Sequence, residues 1–251
     1  MTFKYGKKPA RPGAMKLKMS TYLKASSLPT PPANFGHGGL VSGWGVLGNE
    51  RTGDCVWAGA AHETMIWNRE GGNTATFTTA NVLSDYSAAT GYDPNDPSTD
   101  QGTDLLQAAE YRRTTGVVDS AGNRHTIAAY LQIQSDNLQE LAVAAYLFGA
   151  VGIGWQIPNT AQPQFQAGQP WDVVEGAYTV GGHYTPLIGR QNGLFRVVTW
   201  GKVQNVTMDF FNCYSDEAVA YVSEEMLNNG VSPEGFDMDA LRADLAQLQT
   251  P

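Results

Sequence analysis

Acidic side chains are missing from the first 48 residues, which carry seven basic groups: Lys4, Lys7, Lys8, Arg11, Lys16, Lys18 and Lys24. The other residues hold 9 basic and 24 acidic groups, so a +7 arm is joined to a body of net charge −15. Phosphate binding needs Lys and Arg, so the body is excluded as a nucleic-acid surface. Only the arm suits a polyanion or the acidic face of a protein partner. Cysteine is scarce as well. Two in 251 residues cannot build a disulfide framework, and they fit a reducing compartment. Long apolar runs are also lacking. No apolar run of seven follows the basic arm, so no secretory signal is read. The longest uncharged apolar stretch, residues 141–155, holds Gly149, Gly152 and Gly154 and is too short to span a bilayer. No membrane association is expected, and localisation is expected to be cytoplasmic or virion-associated. A P-loop, a dinucleotide fingerprint and a zinc motif are absent, and Cys213, His37, His62 and His125 have no metal-ligand spacing. No cofactor or metal is therefore expected.

What is present is a globular composition, 42% hydrophobic and 16% charged, large enough for a substantial core. Five prolines punctuate residues 1–36, which should be an extended arm on the body or on a partner. Residues 37–232 read as the folded domain. Residues 233–251 read as an amphipathic helix or tail, with Leu241, Leu245 and Leu248 on one stripe. A run of glycines ends at Gly53, and a helix over 54–67 follows, apolar on nearly all faces and so central. Helices are expected over 79–90, 104–115 (capped by Thr103) and 137–148. Strands are expected over 126–134, 150–157, 182–188, 194–200 and 206–210, with Gln191-Asn192-Gly193 as a hairpin turn. Residues 218–227 add a strand or short helix. Helices first and antiparallel strands later make an α+β fold with two half-lobes forming a cleft.

Two residues carry chemistry. Cys55 heads the central helix, where the backbone dipole favours a thiolate, although a free cysteine is also a common small core residue. His183 opens an apolar strand after two glycines. It is placed either as a base at a cleft edge or as a core histidine bound to a carbonyl. They lie 128 positions apart in sequence.

With its neighbours, this pair resembles the papain-like cysteine peptidases. The family's Gln-x5-Cys block is similar to Asn49–Cys55, and its Cys-x-x-Ala to Cys55–Ala58. Its glycine-led helix ending in tyrosine is similar to the stretch from Gly102 to Tyr111, and its helix and "gly-pro-val" strand to Leu138 through Ile153. Its histidine strand is similar to His183 through Gly189, and the end of its Asn-Ser-Trp-Gly to Thr199-Trp200-Gly201. The resemblance covers residues 45–212. It implies a papain-like α+β fold and acyl transfer on a peptide or protein substrate. Cys55 would be the nucleophile and His183 the base and acid. The oxyanion would be held by the Cys55 N–H and the side chain of Asn49, one methylene shorter than the family's glutamine. The family's histidine-orienting asparagine aligns with Val198, which cannot hydrogen-bond. Thr199 points to the other strand face, and Thr199 and Trp200 are possible supporting residues. The family's cysteine three positions before the nucleophile aligns with Thr52. Asp54 either sets a carboxylate beside the nucleophile, which would raise the thiol pKa against the dipole, or only caps the helix and points away. His62 is structural, and Asp172 and Glu175 could line the cleft.

Two functions are expected from these features. One is a cysteine peptidase working through a Cys55–His183 dyad. The other is a weak or inactive relative that serves as an attachment part of a larger assembly such as a phage virion, docked through its arm. Third, the arm could be an autoinhibitory pro-segment.

Overall fold

The computed structural model describes residues 2–22 and 29–227. The expected C-terminal amphipathic helix lies outside them. A helical half comes first. α2 (Cys55–Glu70) is buried along most of its length, as its apolar faces require. α3 (Thr79–Thr90) begins in a capping box between Thr78 and Asn81 and ends on left-handed Gly91. α4 (Leu105–Thr114) is capped by Asp104, whose carboxylate accepts the Gln107 N–H. Thr103, the expected cap, instead accepts the Trp57 indole N–H at 2.9 Å and pairs with the arm through its backbone.

A two-stranded ribbon, β2 (Val117–Val118) with β3 (Arg124–His125), follows α4, and a short helix, α6 (Ala161–Gln166), lies between β5 and β6. The second half is a seven-stranded antiparallel sheet in the order β4-β9-β5-β6-β7-β8, with β1 (Phe35–Gly36) added beside β6. Its strands are β4 (Ala129–Ile133), β5 (Val151–Pro158), β6 (Thr179–Gln191), β7 (Leu194–Thr199), β8 (Lys202–Val206) and β9 (Ser215–Val222). α5 (Leu138–Phe148) packs on β5, β6 and β9. The 141–155 stretch is thus a buried helix running into a buried strand. Asn192 (φ 52°) and Gly193 (φ 78°) make the tight turn between β6 and β7 that Gln191-Asn192-Gly193 promises. The expected strand over 206–210 ends at Val206. Thr207 caps a short helix, α7 (Met208–Tyr214), whose Phe210 and Phe211 pack on Trp155. Period-2 counting cannot separate such a short aromatic run from one helical turn. The α+β arrangement is the one expected.

The arm is mostly extended, with one helical turn, α1 (Met19–Tyr22), between its proline clusters. Met15 is buried with the helical half and Met19 with the sheet half. Leu17 and Lys18 lie along the edge of β4. Arg11 ion-pairs with Asp104, and Lys7 with Asp216. The basic arm is therefore laid on the acidic body of its own chain.

Candidate active site

Cys55 is the first residue of α2, at the seam between the two halves. Gly59, one turn on, leaves room for the Tyr184 ring: a Cβ there would lie 2.4 Å from it. The helix is thus pressed against β6 where His183 sits. The backbone N–H groups of Tyr184 and of Gly6 in the arm face the Cys55 sulfur and favour its thiolate. The residue after His183 and the arm therefore both touch the thiol.

His183 Nε2 lies 2.8 Å from Thr199 Oγ1, and the imidazole stacks on Trp200 with centroids 4.8 Å apart. Trp200 (φ 46°) and Gly201 (φ 78°) form the left-handed turn that joins β7 to β8. That turn lays the indole over the imidazole. Val198 stands on the opposite strand face, packed with Trp44, Ile66, Ala150 and Ile188. The side chain that meets His183 is thus Thr199, because the face opposite Val198 is the one turned to the histidine. With Nε2–H donating to the hydroxyl, Nδ1 is the basic nitrogen, and among the described residues it has no hydrogen-bond partner.

Asn49 Nδ2 donates to Thr52 O at 3.0 Å. Asp54 is fully buried and makes no cap bond, contrary to expectation. Burial pushes its carboxyl well above the usual range. In its charged form it raises the neighbouring thiol further. His62 hydrogen-bonds the carbonyls of Trp44 and Gly45, so it is tied to the glycine loop. Asp172 is exposed and accepts from Thr207. Among the described residues no group of three or more His, Cys, Asp or Glu could hold a metal, and no helix is long and apolar enough to cross a membrane.

The arm covers this region. Phe3 stacks on Trp200 at 4.8 Å, and both backbone polar groups of Phe3 bond Gln162. Lys4 N–H donates to Asn49 O, and the Tyr5 ring stands edge-on to His183 at 5.8 Å. Gly6 passes so close to Gly53 that a Cβ on it would lie 1.7 Å from the Gly53 carbonyl oxygen. Thr103 N–H donates to Gly6 O, Lys8 N–H to Thr103 O, and Lys7 N–H to Gly182 O. Under this cover burial pushes the Cys55 thiol up to about 12, and burial drives His183 down to about 3. Both groups are held neutral.

A thiol at the start of a helix in the helical half, and an imidazole with a hydroxyl behind it in the sheet half, can be compared with solved structures. Xylellain, a cysteine protease from Xylella fastidiosa, is 13% identical with a TM-score of 0.67, covering 88% of this chain and 96% of its own. The chain has a papain-like fold. The proform of the ragweed pollen cysteine protease Amb a 11 matches at 15% identity and a TM-score of 0.60, over 86% of this chain and 71% of its own. Procathepsin L 3 of Tenebrio molitor larval midgut matches at 15% and 0.59, over 83% and 75%. No protein-family model and no curated protein sequence matches the chain.

Within this papain-like fold, sequence reasoning missed two residues, Asp216 and Glu217, whose carboxylates meet Lys7. Their signal was two adjacent acids opening the apolar run of β9 with no basic residue beside them.

Proposed function

We propose that this protein is a cysteine peptidase of papain-like fold, kept latent by its own N-terminal arm. Cys55 is the nucleophile and His183 its base and acid, with Thr199 orienting the imidazole through Nε2. Cys55 Sγ attacks a peptide carbonyl, His183 returns the proton to the leaving amine, and water releases the acyl group. The Cys55 N–H, at the start of α2, stabilises the oxyanion, and Asn49 joins it if its amide is released from the loop. The observation that carries this reading is the Thr199–His183 contact on the strand whose next residue, Tyr184, turns its N–H to the Cys55 sulfur. It replaces the hydrogen-bonding group that Val198 lacks.

The arm is seated as an inhibitor rather than a substrate. It presents an N–H to the sulfur, while its Gly6 carbonyl is held away by Thr103. The Gly6 carbonyl is therefore not placed to acylate the thiol.

Activity is to be measured on a fluorogenic peptide pool in a chain carrying Gly6→Val, which unseats the arm. Adding Cys55→Ala is expected to cut turnover by about 10⁴ or more, to background. Turnover that survives this change sinks the reading. Thr199→Val in the same background is expected to lower kcat by about tenfold to a hundredfold, within the range of general base catalysis. It should also shift the acidic limb of the pH profile, and Thr199→Ser should restore both. An unchanged profile would make the hydroxyl purely structural.

The attachment reading makes a different forecast, since deleting residues 1–36 would then abolish assembly while Cys55→Ala would not matter. Burial of Lys7, Met15 and Met19 against the same chain favours the peptidase reading.

A further inference from the structure

The Lys7 side chain is fully buried, an arrangement that lysine tolerates only with compensating charge. Its Nζ lies 2.9 Å from Asp216 Oδ1 and 3.6 Å from Glu217 Oε2, and donates to its neighbour's carbonyl, Lys8 O, at 3.0 Å. Consecutive strand residues ordinarily point to opposite faces. Here β9 bulges against β5: Gly154 pairs with Glu217 and Trp155 with Ser215, leaving Asp216 as the extra residue. The bulge turns both carboxylates toward one cation. Gln156 Nε2 holds the Asp216 carboxylate at 2.7 Å. The floor is Gly154, where a Cβ would lie 2.1 Å from Lys7 Cε. The pocket is thus a slot built for a long cationic side chain.

Its position relates it to the reaction. Lys7 follows Gly6, which touches the Cys55 sulfur, and the Lys7 N–H is bound by Gly182, the residue before His183. A side chain entering this pocket therefore belongs to the residue next to the one over the sulfur.

We propose that this pocket selects a basic side chain, lysine or arginine, in the peptide substrate, and that Lys7 occupies it as a stand-in for that side chain. The proposal rests on the peptidase reading. An apolar side chain would leave two carboxylates desolvated and unpaired, and an acidic one would be repelled. Lys8 O belongs to the arm, so the lasting recognition comes from Asp216 and Glu217.

The test uses the full chain with Gly6→Val and fluorogenic peptides scanned position by position with Lys, Arg, Leu, Phe and Glu. At one position beside the scissile bond, Lys or Arg is expected to exceed Leu at least tenfold in kcat/KM. Asp216→Asn with Glu217→Gln should bring that ratio near unity. A preference for Leu or Phe, or a ratio unmoved by the double substitution, overturns the proposal. A second measurement needs no turnover: calorimetric titration of the synthetic peptide of residues 2–8 onto the same chain. The Lys7→Leu peptide is expected to bind at least tenfold more weakly, and equal binding, or none by either peptide, overturns the proposal. Tight binding of the lysine peptide without turnover on any substrate would instead sink the peptidase reading and leave the pocket standing.

Discussion

Gly6→Val is expected to raise the rate of iodoacetamide labelling of Cys55 at pH 8 by roughly two to three orders of magnitude, since thiolate is the reacting form. The Gly53 carbonyl cannot yield to a side chain at position 6, because the Gly53 N–H is itself bound by both Asp100 oxygens at 3.0 and 3.1 Å. The arm must leave the cleft. The thiol sits at about 12 rather than 9.0 chiefly through burial, so opening the cleft removes the largest cause. Each pH unit recovered is tenfold in thiolate. The sign is open to direct check. In the unaltered chain labelling should climb about tenfold per pH unit throughout the alkaline range, and in the variant it should level off earlier. Mass spectrometry of the Cys55 peptide is the readout, with exposed Cys213 labelled at the same rate in both chains as the internal standard. Equal labelling of Cys55 in the two chains would mean that the arm does not control the thiol.

Arg112→Met is expected to cost about 3–5 kcal/mol, the range for breaking one side of a buried ion pair. Arg112 NH1 lies 2.7 Å from Glu63 Oε2, with both side chains almost wholly buried. The guanidinium lies over the Tyr221 ring at 4.1 Å, and Glu63 Oε1 accepts the Tyr184 hydroxyl at 2.6 Å. This network ties α2 and α4 to β6 and β9, one residue from His183. Removing the cation leaves a carboxylate that burial already pushes upward, so Glu63 should take up a proton. Urea denaturation is the measurement. The paired change Glu63→Leu with Arg112→Met should recover a large part of the loss, because an apolar pair carries no desolvated charge. A single substitution that costs under about 1 kcal/mol would show the pair to be solvated in practice.

Much of this organisation was readable from residue order. Apolar content on nearly all faces located α2, and runs of apolar, β-branched and aromatic residues bounded by glycine and asparagine located α5 and β5 through β7, since these segments are buried in the core. The chemical pair was readable because an apolar run begins at each after glycine, although His183 does not open its strand as expected: β6 already starts at Thr179, and His183 is where its burial begins. The orienting group was not. Alignment put Val198 there, and only the left-handed turn at Trp200 and Gly201 shows which strand face reaches the histidine. Asp216 and Glu217 were hidden for a related reason. Alternation assigns neighbours to opposite faces, and the bulge that unites them is a property of pairing with β5.

The charge split belongs to both levels. Sequence by itself determined that a basic, proline-punctuated arm precedes an acidic α+β body, because composition and periodicity are local properties. It could not say where the arm goes. Tertiary structure decided that, by bringing Gly53, Gly102 and Gly182 into a groove wide enough for one backbone and by turning two carboxylates to meet Lys7. Docking depends on close approach between segments far apart in the chain, and no local pattern encodes that distance.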